Sequence, residues 1–263
     1  MPFITDQLHR ELFVNACPQR IVSLVPSQTE LLFSLGLGKE IAGITSFCTR
    51  PEDKIATVLK IGGPKKLNIP LIRAIKPDLI IANKEENERS QVEELMEGHP
   101  VYISNPVDLE TALSMIGDVG NMVGRGNEAA EISATIRSGF NKFGRVAARP
   151  LKIAYLIWRK PYMVAGTGTF INAMLQKCGW LNAFAGNRYP IITADDLRVG
   201  SPDMILLSSE PYPFKEKHIA EFKAIIPGVP VKLVDGEMFS WYGSRLQYAP
   251  DYFISLINSI NEA

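Results

Sequence analysis

Ile75-Lys76-Pro77-Asp78-Leu79-Ile80-Ile81 has a counterpart in Gly200-Ser201-Pro202-Asp203-Met204-Ile205-Leu206, 125 positions further along the chain. Both set a Pro-Asp pair ahead of a short apolar run without alternation, the pattern of a strand buried on both faces of a parallel sheet. His99-Pro100-Val101-Tyr102-Ile103 corresponds in the same way to Val229-Pro230-Val231-Lys232-Leu233 at an offset of 130, and Arg20-Ile21-Val22 to Lys152-Ile153-Ala154 at 132. Three correspondences in one order predict two similar lobes. The competing explanation is coincidence, because Pro-Asp before a strand is common in α/β proteins.

Working outward, strands are expected at Arg20–Val25, Ile41–Thr45, Asp78–Ala82, Val101–Ser104, Lys152–Trp158, Asp203–Leu207 and Val231–Val234, with helical segments between them. The class is α/β, built as two parallel-sheet lobes. Between them, Ala129, Ile132, Ile136, Phe140, Phe143 and Ala147 step by three or four and make one apolar stripe on a helix over Asn127–Arg149. Gly124 and Gly126 punctuate its start and Pro150 stops it; Gly139 and Gly144 each weaken its interior by about 1 kcal/mol against alanine. At about 1.5 Å per residue it is about 30 Å long, enough for a rigid strut from lobe to lobe. The expected division is an N-terminal α/β lobe over 1–125, an inter-lobe helix over 126–149 and a C-terminal α/β lobe over 150–263. In Val25-Pro26-Ser27-Gln28-Thr29-Glu30, Ser27 and Glu30 have capping-box spacing directly after a strand. That turn faces the C-terminal edge of the sheet, where open α/β sheets bind ligands.

The chain has 263 residues, 28 Lys plus Arg against 28 Asp plus Glu, 46% hydrophobic and 21% charged residues. Zero net charge argues against nucleic-acid binding, which needs a basic excess. No run approaches a membrane span, so no membrane insertion is expected. In the first twenty residues Asp6, His9, Arg10 and Glu11 interrupt any apolar core, which predicts no secretory peptide in this chain and a cytoplasmic location. A mature protein without its leader reads the same, and would be periplasmic or at the cell surface. Cys17, Cys48 and Cys178 are too few and too scattered for a disulfide framework or a CxxC zinc site. A bare zinc or manganese site needs about three histidines with a carboxylate. Of the histidines, His9 precedes the first strand and His99 lies at the base of one, which leaves His218 as a single metal contributor. Catalytic fingerprints are missing: GxxxxGK[ST], HExxH and GxSxG do not occur, and Gly166-Thr167-Gly168 lacks a third glycine. An enzyme is not expected.

RIVSLVPSQTELLFSLGLG (20–38), IAGITSFCTRPE (41–52) and IGGPKKLNIPLIRAIKPDLIIANKEEN (61–87) resemble the first lobe of the substrate-binding proteins of cobalamin and iron-chelate ABC importers. WRKPYMVAGTGTFINAMLQKCGWLNAFAG (158–186), SPDMILLSS (201–209) and DGEMFSWYGSRL (235–246) resemble the second, so the likeness runs from about 18 to 260. It implies a helical-backbone receptor of the class III periplasmic-binding-protein type, with a metal chelate held in the cleft between lobes. The ligand implied is a corrinoid such as cobalamin, or haem or an iron–siderophore, bound without chemistry and without an intrinsic cofactor. An ABC permease is the implied partner, and the protein is expected to be a monomer. The alternative is a cytoplasmic enzyme or assembly factor that processes a corrinoid or related cofactor in the same cleft.

Polar and aromatic residues at the strand ends are the candidate ligand contacts. The first lobe offers Ser27, Phe47, Cys48, Arg50 and Glu85; the second offers Trp158, Arg159, Tyr162, Glu210, Tyr212, Phe239, Trp241, Tyr242 and Arg245. Large aromatics suit a broad, partly apolar ligand, and Arg159 and Arg245 are suited to clamp anionic groups on its edge. Cys48 is the candidate metal ligand besides His218, because a thiolate suits cobalt, haem iron, copper or zinc.

Overall fold

The computed structural model describes residues 3–14, 17–144 and 149–262. They form two compact units, Met1–Pro106 with Glu110–Ile136 and Tyr242–Arg245, and Val107–Leu109 with Arg137–Trp241 and Leu246–Ala263.

The first unit opens with a hairpin, β1 (Phe3–Thr5) and β2 (Glu11–Phe13), paired Ile4 to Leu12. Then follow β3 (Ile21–Ser23), α1 (Pro26–Ser34), β4 (Ile41–Ile44), α2 (Glu52–Ile55), β5 (Gly62–Gly63), β6 (Lys66–Leu67), α3 (Ile69–Ile75), β7 (Leu79–Asn83), α4 (Arg89–Met96), β8 (Val101–Ser104) and α5 (Leu109–Met122). The sheet order is β4-β3-β7-β8, all parallel, with Ile80 opposite Val22 and Val101. Order reverses between β3 and β7, so the loops after them flank the switch point at which such sheets take ligands. β8 is an edge strand whose outward groups are occupied by the hairpin turn. The Val101 carbonyl accepts from Arg10 Nη2 at 3.0 Å, the Ile103 N–H donates to Asp6 Oδ2 at 3.3 Å, and the Asn105 N–H donates to Gln7 Oε1 at 2.7 Å. Capping an edge in this way removes a template for pairing with another chain.

α6 (Gly126–Phe143) carries the expected apolar stripe: Ala129, Ile132, Ile136, Phe140 and Phe143 are buried, while Ala147 lies outside the described residues. The division between the units falls within this helix. Gly139 has a packing role, since a Cβ there would stand 3.0 Å from Pro250 Cγ; close approach offsets the helix penalty of glycine.

The second unit contains β9 (Lys152–Trp158), β10 (Tyr162–Val164), α7 (Phe170–Lys177), β11 (Leu181–Asn182), β12 (Ile191–Ile192), α8 (Ala194–Gly200), β13 (Met204–Ser208), α9 (Glu216–Ile225), β14 (Val231–Val234), α10 (Gly236–Ser240), a 3-10 turn at Ser244–Gln247 and α11 (Ala249–Asn261). Its sheet runs β12-β10-β9-β13-β14, with β11 also paired to β9. β9, β13, β14 and β11 are parallel; β10 runs antiparallel to both of its neighbours, β9 and β12. Ala154, Leu156, Ile205, Leu207, Phe214 and Phe222 form its core.

All seven expected strands are present, and Val101–Ser104, Lys152–Trp158 and Val231–Val234 match residue for residue. The capping box is a correction. Pro26 occupies the first helical turn and Val25 is the N-cap, so α1 begins before Ser27 can cap it; proline suits that position because its φ is fixed and it has no N–H to leave unsatisfied. Among the described residues no helix is long and apolar enough to cross a membrane.

Candidate functional site

At the C-terminal edge of the first sheet the strands end in small polar residues, Ser23, Asn83 and Ser104, all buried. They belong to two hydrogen-bonded clusters, one around Ser23 and one around Asn83 and Ser104. Thr29 Oγ1 donates to Ser23 Oγ at 2.8 Å, Asn83 Nδ2 to Ser104 Oγ at 3.0 Å, and Gln28 Nε2 also donates to Ser104 Oγ. The Asn83 N–H donates to Asn87 Oδ1 at 2.8 Å, and Asn83 Oδ1 accepts from the Glu85 and Glu86 N–H groups at 2.7 and 3.1 Å. Buried hydrogen-bonded clusters of this kind hold loops in one conformation, although Gln28 Oε1 is buried without a partner among the described residues. They fix Glu85, half-buried, at the rim.

Phe47 projects from the loop after β4 and is 64% exposed. Arg50 lies three residues on and pairs with Glu52 at 3.5 Å. Residues 242–245 pack on this same unit. Tyr242 Oη donates to Glu86 Oε1 at 2.7 Å, Ser34 Oγ donates to Ser244 Oγ at 2.9 Å, and Arg245 forms a two-pronged ion pair with Glu30. Gly243 is required there, because a Cβ would lie 2.6 Å from the Ser27 carbonyl oxygen. Beneath it the Ser27 hydroxyl is buried and without a hydrogen-bond partner.

In the second unit the corresponding edge presents Trp158, 39% exposed, with its ring edge-on to Tyr212 at 5.8 Å. Arg159 Nε donates to Glu221 Oε2 at 2.9 Å, and Tyr162 Oη donates to Glu221 Oε1 at 2.5 Å. Burial opposes ionisation of Glu221, but these two donors outweigh it and hold its pKa below the usual carboxylate range; burial and that carboxylate push Tyr162 up to about 12. Glu210 accepts from Ser240 Oγ at 2.5 Å and from Trp241 Nε1 at 2.9 Å. Burial raises the pKa of Glu210, and the nearby Glu237 and Asp235 add to the rise.

Several expected contacts take other roles. Phe239 is fully buried and stacks with Tyr155 and Phe253 at 5.0 and 4.8 Å, a core residue because α10 turns that face inward. Trp241 and Tyr242 are buried, each with its polar tip bonded to a carboxylate. Arg159 and Arg245 are held by Glu221 and Glu30, so neither guanidinium stands open as the expected anion clamp. His218 uses both ring nitrogens: Nδ1 accepts the Lys215 N–H at 2.8 Å and Nε2 lies 3.3 Å from Tyr212 Oη. Metal ligation would break one of these bonds. Cys48 is buried, with Sγ 3.1 Å from Thr29 Oγ1 and 3.3 Å from Thr45 Oγ1. Burial pushes its pKa up, the opposite of what a metal-binding thiolate needs.

Iodoacetamide at neutral pH is therefore expected to add one alkyl group, at exposed Cys17, and to spare buried Cys48 and Cys178 until urea is added. Mass spectrometry of tryptic peptides reads the result; rapid labelling of Cys48 in the folded protein would show an accessible thiolate.

Among the described residues no group of three or more His, Cys, Asp or Glu is placed to hold a metal ion. Gln28, Ser104 and Glu221 complete the two edges yet are not singled out by the sequence, whereas Asn83 and Asn87 lie in a strand-end loop that it offers, Asn83-Lys84-Glu85-Glu86-Asn87, and Glu30 in the expected capping box. For Asn83 and Ser104 a signal existed, a small polar residue closing an otherwise apolar strand. For the pairing of Glu30 and Glu221 none existed, since their partners lie 215 and 62 positions away.

A vitamin B12-binding protein of Yersinia pestis (strain Pestoides F) is 25% identical over 197 residues, covering 72% of this chain and 69% of the relative. Two solved structures share the fold. A periplasmic vitamin B12 binding protein of Vibrio cholerae superposes with a TM-score of 0.78 at 20% identity, over 95% of this chain and 100% of that one. The apo periplasmic heme-binding protein RhuT from Roseiflexus sp. RS-1 gives 0.78 at 21% identity, over 93% and 99%. The family model described as periplasmic binding protein matches residues 21–227, a span that runs from β3 to just beyond α9. On that match, the chain belongs to the periplasmic binding protein family.

Proposed function

We propose that this protein binds a metal chelate without altering it, and that its ligand is a corrinoid such as cobalamin, with haem and iron–siderophore chelates as the other members of the class. The supporting observation is a large aromatic ring exposed at the C-terminal strand edge of each unit, Phe47 in one and Trp158 in the other, each on a hydrogen-bonded support. Exposed aromatics on a rigid base suit a broad apolar face, and the vitamin B12-binding relative points the same way. An ABC permease is the partner to which such a receptor delivers its ligand. Of the two locations expected from the sequence, the family favours the periplasmic one, so osmotic shock of the native host is expected to release the protein.

Titration calorimetry with cyanocobalamin, dicyanocobinamide and haemin tests the reading. One of them is expected to bind with near 1:1 stoichiometry, and Trp158→Ala is expected to weaken it about tenfold, the scale of one lost aromatic contact. No heat with any of these or with a ferric siderophore would overturn the proposal.

A further inference from the structure

Trp158 closes β9, and the groups that fix its surroundings come from α9. His218 and Glu221 lie one helical turn apart, on one face of that helix. Tyr212, whose ring the Trp158 indole meets edge-on, is held on several sides. Its N–H donates to the Ile157 carbonyl at 3.2 Å, its ring packs on Phe214 at 4.7 Å and on the His218 ring at 5.5 Å, and its hydroxyl meets His218 Nε2. The Lys215 N–H bonded to Nδ1 places the hydrogen of the neutral ring on Nε2, so His218 donates to the Tyr212 oxygen. Burial, with Arg159 and Lys217 nearby, favours that neutral ring. Arg159, the chain neighbour of Trp158, is hydrogen-bonded to Tyr212 and anchored on Glu221, which also receives Tyr162.

None of these side-chain bonds is needed to hold β9, which is hydrogen-bonded to β10 on one side and β13 on the other. What they determine is the surroundings of the exposed indole at the end of that strand. We propose that His218 and Glu221 are positioning residues for the binding face: through Tyr212 and Arg159 they hold Trp158 in the orientation that meets the ligand before the ligand arrives. The proposal rests on the reading that this edge binds a broad chelate, and adds to it the residues that pre-order the contact. Pre-ordering matters because a side chain immobilised only on binding subtracts from affinity.

The test combines a readout on the free protein with one on binding. Trp158 is 39% exposed while Trp180 and Trp241 are 2% and 5% exposed, so iodide quenching of tryptophan fluorescence reports on Trp158. His218→Ala and Glu221→Ala are expected to raise the quenching constant and to raise the Kd for cyanocobalamin about three- to tenfold, the scale of ordering one or two side chains. Glu221→Gln, whose amide oxygen still accepts from Arg159 and Tyr162, is expected to restore both. Tyr212→Phe keeps the ring and removes the hydroxyl with its bonds to His218 and Arg159; it should raise the quenching constant without moving the urea midpoint, which separates loss of position from loss of fold. Quenching unchanged in all three variants, His218→Ala, Glu221→Ala and Tyr212→Phe, would overturn the positioning role, whatever the urea midpoints do. Wild-type protein that binds none of cyanocobalamin, dicyanocobinamide, haemin and a ferric siderophore would instead overturn the ligand reading, so the two failures are distinct.

Discussion

Replacing Asp6 with alanine is expected to destabilise the protein by about 2–4 kcal/mol, the range for removing a buried charged acceptor from its donors. The side chain is wholly inaccessible and pairs with Arg10 Nη2 at 2.6 Å. Its carboxylate also accepts from the Leu8 and Arg10 N–H groups at 2.9 and 3.0 Å, from Arg10 Nε at 3.0 Å and from the Ile103 N–H at 3.3 Å. One residue thus closes the β1–β2 turn, orients Arg10 and occupies the free edge of β8. Alanine leaves those donors without a partner in a place where water does not easily replace it. Urea unfolding of the whole chain measures the cost, and hydrogen exchange at Leu8, Arg10 and Ile103 shows where it falls. Asp6→Asn keeps one oxygen and loses the charge, so it should lie between. A change below about 1 kcal/mol, the scale of a single ordinary hydrogen bond, would mean that the hairpin is an appendage.

The second large effect is expected at Arg245. Its side chain and that of Glu30 are each 12% exposed, and two hydrogen bonds join them, one of 3.0 Å from Nε to Oε2. Removing one member of a nearly buried ion pair leaves an uncompensated charge, so Arg245→Ala and Glu30→Ala should each cost about 3 kcal/mol. Replacing both, as Arg245→Met with Glu30→Leu, should recover most of that, because desolvation and attraction nearly cancel in such pairs. A double-mutant cycle in urea checks the contrast. Single and double variants equally destabilised would mean that shape, not charge, holds the segment. The pair also bears on the proposed binding edge, since it secures the stretch in which Gly243 lies on the Ser27 carbonyl.

These two sites illustrate the limit of reading residues in order. Asp6 looks like an ordinary charge that interrupts an apolar stretch, and Glu30 looks like the third residue of a capping box. Their roles come from β8 and from residues 242–245, neither of which is near in the chain. Arg159 and Arg245 carry the right chemistry for clamping anions, but the fold supplies each with a carboxylate first. His218 meets Lys215 and Tyr212 in the same way, one at each ring nitrogen.

The parallel strands, the striped helix α6 and the polar and aromatic residues at the strand ends are legible in the residues themselves. Backbone geometry repeats over a few residues, so burial writes a local period into the sequence: an unbroken apolar run for a doubly covered strand, a step of three or four for a helix. The short antiparallel pieces β10 and β12 are too brief to write one. At the strand ends composition alone named polar and aromatic residues without ranking them. Folding ranked them, leaving Phe47 and Trp158 exposed, burying Phe239, Trp241 and Tyr242, and closing both arginines on acidic partners. A side chain's availability depends on what the chain brings beside it from far away, and no local period records that.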